Sequence, residues 1–372
     1  MYAQVEKYSP PAWAHDLKCI PASFVKLAQR PTPVHPWNLP GVPDGYHISI
    51  HRDDLTGCTL SGNKIRKIEF ILAEAIEQKC DCVITCGGFQ SNHCRAVAVA
   101  CTQVGLECHL LLRCPGDKDP SLVQCNGNLL LDRLAGANIV LVTPAYYEGL
   151  HTDKGYVPGL KDKMEVHAAK LRAEGKKPYL IPIGGSNVTG LWGQIEVFRE
   201  LLEQGLIEQF DDIVLPIACG GGTSIGLAVA NYLTGSKLRI HAVMVEHIDA
   251  DEAYRWVNDD LAQLGLADKV KGQDILDIVY GYAGDGYSLF SDQDIEHLIS
   301  ISTSTGIILE PTYSLKTVKG MLTELQSNPT RFKGKRILYM FTGGTMGLYD
   351  QRIDGIVKRH PLTNKITVYP ET

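Results

Sequence analysis

The sequence contains no Cys-x-x-Cys pair, no tandem repeat and no apolar run approaching the roughly 18 residues that cross a membrane. These absences exclude a zinc ribbon, a thioredoxin-type redox motif and a membrane-spanning segment. The first residues, Met1 to Lys7, are not followed by an apolar core, so we expect no secretory signal peptide. A net charge of −6 argues against a nucleic-acid partner, because phosphate binding favours a basic surface.

The cysteines do not indicate a disulfide framework either. There are 11, an odd number, and most of them lie within apolar stretches. Without a secretory signal they are expected to be reduced, buried thiols, so we expect a cytoplasmic protein, with a mitochondrial location as the alternative. The 372 residues are 44% hydrophobic and 21% charged, which is typical of a globular enzyme with two domains or one large one.

Proline is concentrated at the start of the chain, where residues 1–45 hold eight of the 19. This density excludes long helices there and favours extended segments. Beyond it, short apolar runs predict strands at 47–51, 82–86, 107–113, 138–143, 179–183, 212–218, 239–245 and 337–341. Segments with apolar residues every three or four positions predict helices at 68–76, 94–104, 126–135, 164–174, 191–204 and 225–234. The alternation predicts an α/β fold with parallel strands, and residues 146–163 are interpreted as a surface excursion.

The segment Ser61 to Lys67 places Lys64 at the start of the first predicted helix. The helix dipole disfavours an ammonium group there and helps to lower the pKa of the lysine. Such a lysine is a nucleophile that can form a Schiff base. The alternative is a solvated basic helix start, with Lys64, Arg66 and Lys67 all in water.

A polar loop, Gln90-Ser91-Asn92-His93, lies between a predicted strand and the helix that follows it. Backbone N–H groups point outward at such a junction, and Ser and Asn side chains can donate hydrogen bonds to an anion. The alternative is an ordinary helix cap formed by Ser91 or Asn92.

A glycine loop at 219–226 also joins a predicted strand to a helix, an arrangement that predicts a phosphate cradle. The rival interpretation is a dinucleotide site, because Gly220, Gly222 and Gly226 nearly fit the G-x-G-x-x-G pattern. Glu246 ends the next strand, where a ribose-binding acid belongs. However, the third glycine is one residue late, and a nicotinamide enzyme would leave the lysine and the polar loop without a role.

Several motifs, taken in order along the chain, resemble one family. They are Pro31-Thr32-Pro33, segments 52–57 and 61–69, Gln90 to Arg95, Gly184 to Asn187, Glu310 to Tyr313 and Thr342 to Gly344. Together they resemble the D-cysteine desulfhydrase and 1-aminocyclopropane-1-carboxylate (ACC) deaminase family over about residues 28–350. The resemblance implies pyridoxal 5′-phosphate (PLP) and fold type II, with two domains that are each an open, mostly parallel sheet flanked by helices, as in the tryptophan synthase β subunit. It also implies a large domain from 1–66 and 191–372, and a small mobile domain at 67–190.

The resemblance further implies the cofactor-binding residues. Lys64 would carry PLP covalently, and Asn92 would bond its phenolic oxygen. The phosphate would be bound by Gly220, Gly221, Gly222 and Thr223. Ser314 would face the pyridine nitrogen, with Thr342 also in the cofactor site. No metal is implied.

The same resemblance implies the substrate-binding residues. Ser91, with Gln90 and His93 nearby, would hold the substrate carboxylate, and the matching serine of the deaminases is the assigned nucleophile. Tyr280 and Tyr313 would flank the substrate as catalytic groups. Taken singly, each tyrosine is also typical of half-buried packing with its hydroxyl in water.

Two positions separate the branches of the family. Deaminases carry Glu and Leu where this chain has Ser314 and Thr342, whereas desulfhydrases carry Ser or Thr and Thr. A carboxylate would keep the ring nitrogen protonated and deepen the electron sink that opening a cyclopropane needs, whereas a hydroxyl suffices when the leaving group is a thiolate. The departures from the family pattern are Phe341 in place of His, an altered phosphate loop, a 282–286 loop without Pro-Asn, and a longer insert at 146–163.

We therefore expect β-elimination from a small amino acid, D-cysteine, giving pyruvate, ammonia and hydrogen sulfide. The alternatives on the same scaffold are an ACC deaminase, an L-cysteate sulfo-lyase and an amino-acid racemase, with a nicotinamide-dependent oxidoreductase as a remote one. The resemblance also implies a homodimer.

Overall fold

The computed structural model of the protein describes residues 4–114, 125–142 and 159–367. Its strands are β1 (Val5–Lys7), β2 (Ser23–Val25), β3 (Val34–Pro36), β4 (His47–Arg52), β5 (Cys82–Gly88), β6 (Glu107–Arg113), β7 (Asn138–Val142), β8 (Pro178–Leu180), β9 (Asp212–Ile217), β10 (Arg239–Met244), β11 (Asp277–Val279) and β12 (Arg336–Phe341). A six-stranded sheet has the order β11-β10-β9-β12-β4-β3 and is parallel except for β3. A four-stranded parallel sheet has the order β7-β6-β5-β8, and β1 and β2 form an antiparallel ribbon.

Helices cover both larger sheets. They are α1 (Lys64–Glu77), α2 (Asn92–Val104), α3 (Gly127–Leu134), α4 (Leu160–Ala173), α5 (Val188–Glu203), α6 (Leu206–Gln209), α7 (Gly222–Leu233), α8 (Ala250–Gln263), α9 (Gly272–Ile275), α10 (Asp292–Thr305), α11 (Ser314–Ser327) and α12 (Asp354–Arg359). The α/β class, the parallel sheets and the flanking helices predicted above are confirmed. The domain limits at 66 and 190 stay predictions. Within the described ranges, every helix is too short or too polar to cross a bilayer.

The predicted surface excursion at 146–163 is wrong at its end, because α4 already begins at Leu160. Leu160, Met164, Ala168 and Leu171 are buried at helical spacing, so packing against the four-stranded sheet extends the helix toward its N-terminus. Residues 146–158 of that prediction lie outside the described part of the chain.

Helix α1 joins the two halves of the molecule. Its residues Ile65, Ile68 and Ile71 pack with α2 in the core of the four-stranded sheet. Its other side lies against α5, where a Cβ on Gly193 would sit only 2.1 Å from the carbonyl oxygen of Arg66. Glycine therefore allows the close helix contact that fixes the position of the α1 N-terminus.

The surface interpretation of this helix start is wrong for two of its three basic residues. Arg66 and Lys67 are each only 1% exposed. The Arg66 guanidinium forms ion pairs with Asp53 (2.9 Å) and Glu200 (2.7 Å), which compensate its charge in the interior.

Candidate active site

A cavity of about 410 Å³ opens between the two larger sheets, at the carboxyl ends of their parallel strands. Ligands bind in such crevices in open α/β folds because loops and helix N-termini converge there. Most of the predicted site residues line it, namely Lys64, Ser91, Asn92, His93, Gly220, Gly221, Thr223, Tyr313 and Thr342. Gln90, Gly222, Ser314 and Tyr280 are not among its lining residues.

Lys64 is the first residue of α1, as predicted, and its side chain extends into the cavity. The Lys64 pKa is lowered by burial, against the opposing influence of Cys219 and Glu246. The preceding residue, Asn63, donates from Nδ2 to the Thr223 hydroxyl at 2.8 Å. That bond ties the lysine to the glycine loop, so the amine and the phosphate cradle are held in one arrangement.

Lys67 is a second cavity lysine, and the sequence reasoning assigned it no role. It lies one turn after Lys64, and its Nζ donates to the Gly184 carbonyl (3.2 Å) and the Ser186 hydroxyl (3.4 Å). Burial, and then the nearby charge of Lys64, hold the Lys67 pKa well below its ordinary value, although Asp260 opposes the shift. Among the described residues it forms no ion pair with a carboxylate, so this buried lysine is suited to an anionic ligand.

The glycine loop surrounds the same point. Cys219, Gly220 and Gly221 have φ values of 50°, 83° and 69°, and α7 begins at the next residue. The first N–H groups of that helix have no acceptor within it and point toward the loop. A Cβ on Gly222 would lie 2.9 Å from the Lys67 Nζ, so a side chain would fill the space between the lysine and the helix end.

Asn92 is oriented by a chain of hydrogen bonds. Its Oδ1 accepts from Asn128 Nδ2 at 2.9 Å, and Asn128 Oδ1 in turn accepts from Arg95 Nε at 3.2 Å. The Asn92 amide nitrogen is thereby left to donate into the cavity. This orientation would allow the bond to a phenolic oxygen that the resemblance implies, and that role stays a prediction.

Ser91 and His93 lie at the start of α2. Ser91 caps the helix by accepting the Cys94 N–H at 3.2 Å, so its own hydroxyl proton can point into the cavity. His93 Nε2 lies 2.9 Å from the Thr85 hydroxyl, which donates to the Ile181 carbonyl; the imidazole must therefore donate this bond. Burial first, and then the two cavity lysines, lower the His93 pKa well below its ordinary value, leaving a neutral ring whose Nδ1 has no partner in the described structure.

Two predicted residues point away from the cavity. Gln90 accepts the Asn128 N–H at 2.8 Å and donates to Asn126 Oδ1 at 3.0 Å, so its amide holds the start of α3. The hydroxyl of Ser314 is fully buried, donating to the Glu310 carbonyl at 2.8 Å and accepting the Glu310 N–H at 2.7 Å. The structure therefore brings neither to the cavity wall, and their predicted roles stay predictions.

Tyr287, and not Tyr280, is the second tyrosine of the cavity. The Tyr287 and Tyr313 hydroxyls are 2.6 Å apart, and both residues line the cavity. Tyr280 is 38% exposed and lies outside it. The loop turns back after Tyr280, and Lys316 Nζ anchors the turn by donating to carbonyl oxygens on it at 2.6 Å. Tyr280 precedes a glycine and Tyr287 follows one in the same glycine-rich loop, so sequence alone could not separate them.

Glu246, considered above as a ribose-binding acid, instead holds the start of the glycine loop. Its Oε2 accepts the Cys219 N–H and its Oε1 accepts the Cys219 thiol, both at 3.1 Å. The two bonds hold Cys219 in a left-handed conformation that residues other than glycine rarely adopt. The carboxylate is therefore occupied by the protein itself, which removes the main support for a dinucleotide site.

These observations fit PLP. The cofactor requires a lysine of lowered pKa, a dianion cradle and a donor to its phenolic oxygen. Lys64 meets the first requirement, Lys67 with the α7 N-terminus meets the second, and Asn92 meets the third.

Known proteins with similar sequences agree with this fit. A family model described as pyridoxal-phosphate dependent enzyme matches residues 25–343. The bifunctional D-cysteine desulfhydrase/1-aminocyclopropane-1-carboxylate deaminase, mitochondrial, of Arabidopsis thaliana is 44% identical over 352 residues, which cover 92% of this chain and 84% of the relative. The D-cysteine desulfhydrase of Serratia proteamaculans is 30% identical over 317 residues, covering 82% and 88%.

A solved structure described as an ACC deaminase homologue superposes with a TM-score of 0.75 at 29% identity, covering 91% of this chain and 96% of the other. The fold, the cavity and the sequence matches agree over most of the chain. The chain therefore belongs to the family of pyridoxal-phosphate-dependent enzymes, in the group that includes the D-cysteine desulfhydrases and ACC deaminases.

Proposed function

We propose that the protein catalyses β-elimination of D-cysteine to pyruvate, ammonia and hydrogen sulfide. The observation that carries the proposal is Lys64, held at a helix start beside a phosphate cradle and facing a tyrosine pair in one cavity. The names of the Arabidopsis and Serratia relatives support D-cysteine as the substrate. When bound, PLP supplies an electron sink that lets the α proton of an amino acid leave.

The residues of the chain divide the remaining work. The α2 N-terminus, with the hydroxyl of Ser91, would bind the substrate carboxylate through hydrogen bonds, whereas the neutral His93 offers an acceptor at Nδ1 for a proton donor of the substrate. Burial lowers the pKa of Lys64 below its ordinary value, which favours its Nζ as the acceptor of the α proton. The hydroxyl pair of Tyr287 and Tyr313 would orient the substrate and relay protons at the opposite wall.

The decisive experiment replaces Lys64 by alanine. The variant should release no sulfide or pyruvate from D-cysteine and should lack the visible absorption of lysine-bound pyridoxal. Lys161→Ala is the matched control, because Lys161 is an exposed lysine at the rim of the same cavity and should keep both properties. Wild-type turnover by the Lys64 variant would refute the proposal.

ACC deamination is the second candidate, supported by the name of the bifunctional Arabidopsis relative and by the described structural neighbour. Ser314 argues against it, because no carboxylate occupies the position that the resemblance assigns to the ring nitrogen. Wild-type enzyme should be assayed with D-cysteine, ACC, L-cysteate and D-serine, measuring pyruvate, 2-oxobutyrate, sulfite and racemised product. Faster turnover of ACC than of D-cysteine would overturn the assignment.

We also propose a homodimer and a cytoplasmic location. The support is the family resemblance and the 11 cysteines, none of which forms a disulfide in the described structure. Light scattering of the purified protein and fluorescence microscopy of a tagged chain test the two proposals.

A further proposal is that residues 67–190 form a small domain that closes over the substrate. It is supported by the four-stranded sheet, whose strands all lie within that range.

A further inference from the structure

Arg113 is a cavity residue that the proposed reaction has not used. It ends β6 and lies directly opposite Gly88, the last residue of β5. A Cβ on Gly88 would meet the ring of Tyr287 at 3.8 Å and Arg113 Nη2 at 3.9 Å. The guanidinium and the tyrosine ring therefore flank the same glycine at the cavity wall.

The Arg113 guanidinium has no hydrogen bond and no ion pair with any described residue. The other arginines near the cavity are all engaged. Arg66 pairs with two carboxylates, and Arg95 donates to Asn128 and to two backbone carbonyls. A guanidinium facing an enclosed cavity without a partner is suited to bind a negative charge brought by a ligand.

Two of the three negative charges expected in the site already have protein partners. The cofactor phosphate would lie between Lys67 and the α7 N-terminus, and the substrate carboxylate would lie at the α2 N-terminus. The third charge develops on the β substituent as it leaves. Arg113 is a cation of the cavity wall that has not been assigned to either of them, whereas Lys161 is an exposed cation at the rim.

The electrostatic influence of Arg113 reaches sulfur atoms in this cavity. Burial raises the pKa of the Cys86 thiol to about 12, and the Arg113 charge opposes that rise. Burial and Glu246 raise the Cys219 pKa well above its ordinary value, and Arg113 again acts in the opposite direction. Both thiols line the cavity, so Arg113 favours a negative charge on sulfur in the region where a substrate sulfur would leave.

We infer that Arg113 is a catalytic residue that stabilises the departing anionic β substituent through its guanidinium. The inference rests on the proposed function. In the step concerned, the α proton passes to the general base and the Cα–H electron pair forms a Cα–Cβ double bond. The Cβ–S bond breaks with its electron pair on sulfur, and hydrosulfide leaves beside Arg113. Hydrolysis of the resulting enamine then gives pyruvate and ammonia.

The test compares two substrates that differ only in the leaving group. D-cysteine releases hydrosulfide, whereas β-chloro-D-alanine releases chloride, which needs far less stabilisation. Arg113→Met should lower kcat/KM for D-cysteine by about 100- to 1,000-fold, the effect of removing one donor to a developing anion, and should change that for β-chloro-D-alanine by less than about threefold. Arg113→Lys, which keeps the charge but loses the planar fork, should fall between wild type and Arg113→Met.

Lys161→Met is the matched control, because it removes a cation from the rim of the same cavity and should affect neither substrate. An equal loss on both substrates would overturn the inference, since it would place Arg113 at the carboxylate that they share or in the support of the fold. No loss on D-cysteine would overturn it as well. Failure of the wild-type enzyme to release sulfide would refute the proposed function instead.

A readout without turnover comes from calorimetric titration of the holoenzyme with sodium hydrosulfide at about pH 8, where the anion predominates. Wild-type enzyme and Lys161→Met should bind it equally. Arg113→Met should bind it at least about tenfold more weakly, as expected for the loss of a charge-assisted hydrogen bond. Equal binding by wild-type enzyme and Arg113→Met would contradict the inference.

Discussion

Replacing Lys67 by methionine should weaken cofactor binding while leaving the cofactor-free protein equally stable or more stable. The buried ammonium donates only long bonds, at 3.2 and 3.4 Å, and has no carboxylate partner in the described structure. A neutral side chain of similar length removes an uncompensated buried charge, which does not destabilise the fold. A charge-assisted bond to phosphate contributes about 1.5–3 kcal/mol, so its loss should raise the PLP dissociation constant by roughly 10- to 150-fold.

The assay titrates cofactor-free protein with PLP and, separately, with pyridoxal, which lacks the phosphate. Lys67→Met should lose affinity for PLP but not for pyridoxal, because Lys67 would hold the phosphate and no other part of the cofactor. Lys316→Met is the matched control. That lysine is also buried, but it donates to the carbonyls of Ala283 and Gly286 at 2.6 Å, so its removal should lower stability without changing phosphate affinity.

The same lysine should make cofactor affinity depend on pH. Burial holds the Lys67 pKa well below its ordinary value, and a phosphate dianion beside it would raise that pKa again. The complex therefore binds more protons than the free protein between the two pKa values. Above about pH 6, where the phosphate is a dianion, the affinity for PLP should therefore fall as the pH rises. The fall spans the range from the depressed Lys67 pKa of the free protein to the raised Lys67 pKa of the complex. Lys67→Met should remove this slope. Binding of PLP by Lys67→Met with wild-type affinity, or with the wild-type pH slope, would refute the assignment of the phosphate site.

Two further predictions concern the tyrosines and a buried histidine. Tyr287→Phe should lower kcat for D-cysteine by roughly 10- to 100-fold because it breaks the hydroxyl pair with Tyr313. Tyr280→Phe should keep kcat within about twofold of wild type, because Tyr280 lies outside the cavity. Equal effects of the two substitutions would contradict the placement of Tyr287 in the active site. His241 forms hydrogen bonds with Asp212 at 2.9 Å and with Asp277 at 2.7 Å. Burial alone would lower the His241 pKa, but the two carboxylates raise it above its ordinary value. The stabilising contribution of His241 to the free energy of unfolding is therefore present at low pH and is lost as the pH rises through the raised pKa. In urea titrations, His241→Gln should destabilise the protein more at about pH 6 than at about pH 9. A destabilisation that is the same at both pH values would contradict the ion-pair assignment.

Features that depend on residues close together in the chain could be predicted without the structure. The strand and helix alternation follows from hydrophobic periodicity, and the position of Lys64 at a helix start follows from the turn before it. The glycine loop was recognisable because only glycine fits three closely spaced backbone positions beside a helix end. The resemblance then supplied the cofactor and most of the cavity residues.

The side chains that meet across the cavity could not be identified before the chain was seen folded. Lys67 contacts Gly184, which is 117 positions away in the chain, and this packing turns what could be a solvated lysine into a buried one. Tyr287 lines the cavity and Tyr280 does not, because Lys316 on α11 anchors the turn between them. Arg113 faces the cavity because β6 pairs with β5 in a register that places it opposite Gly88. Burial, pairing and free hydrogen-bonding capacity are properties of the packed molecule, since they depend on contacts between segments that lie far apart in sequence.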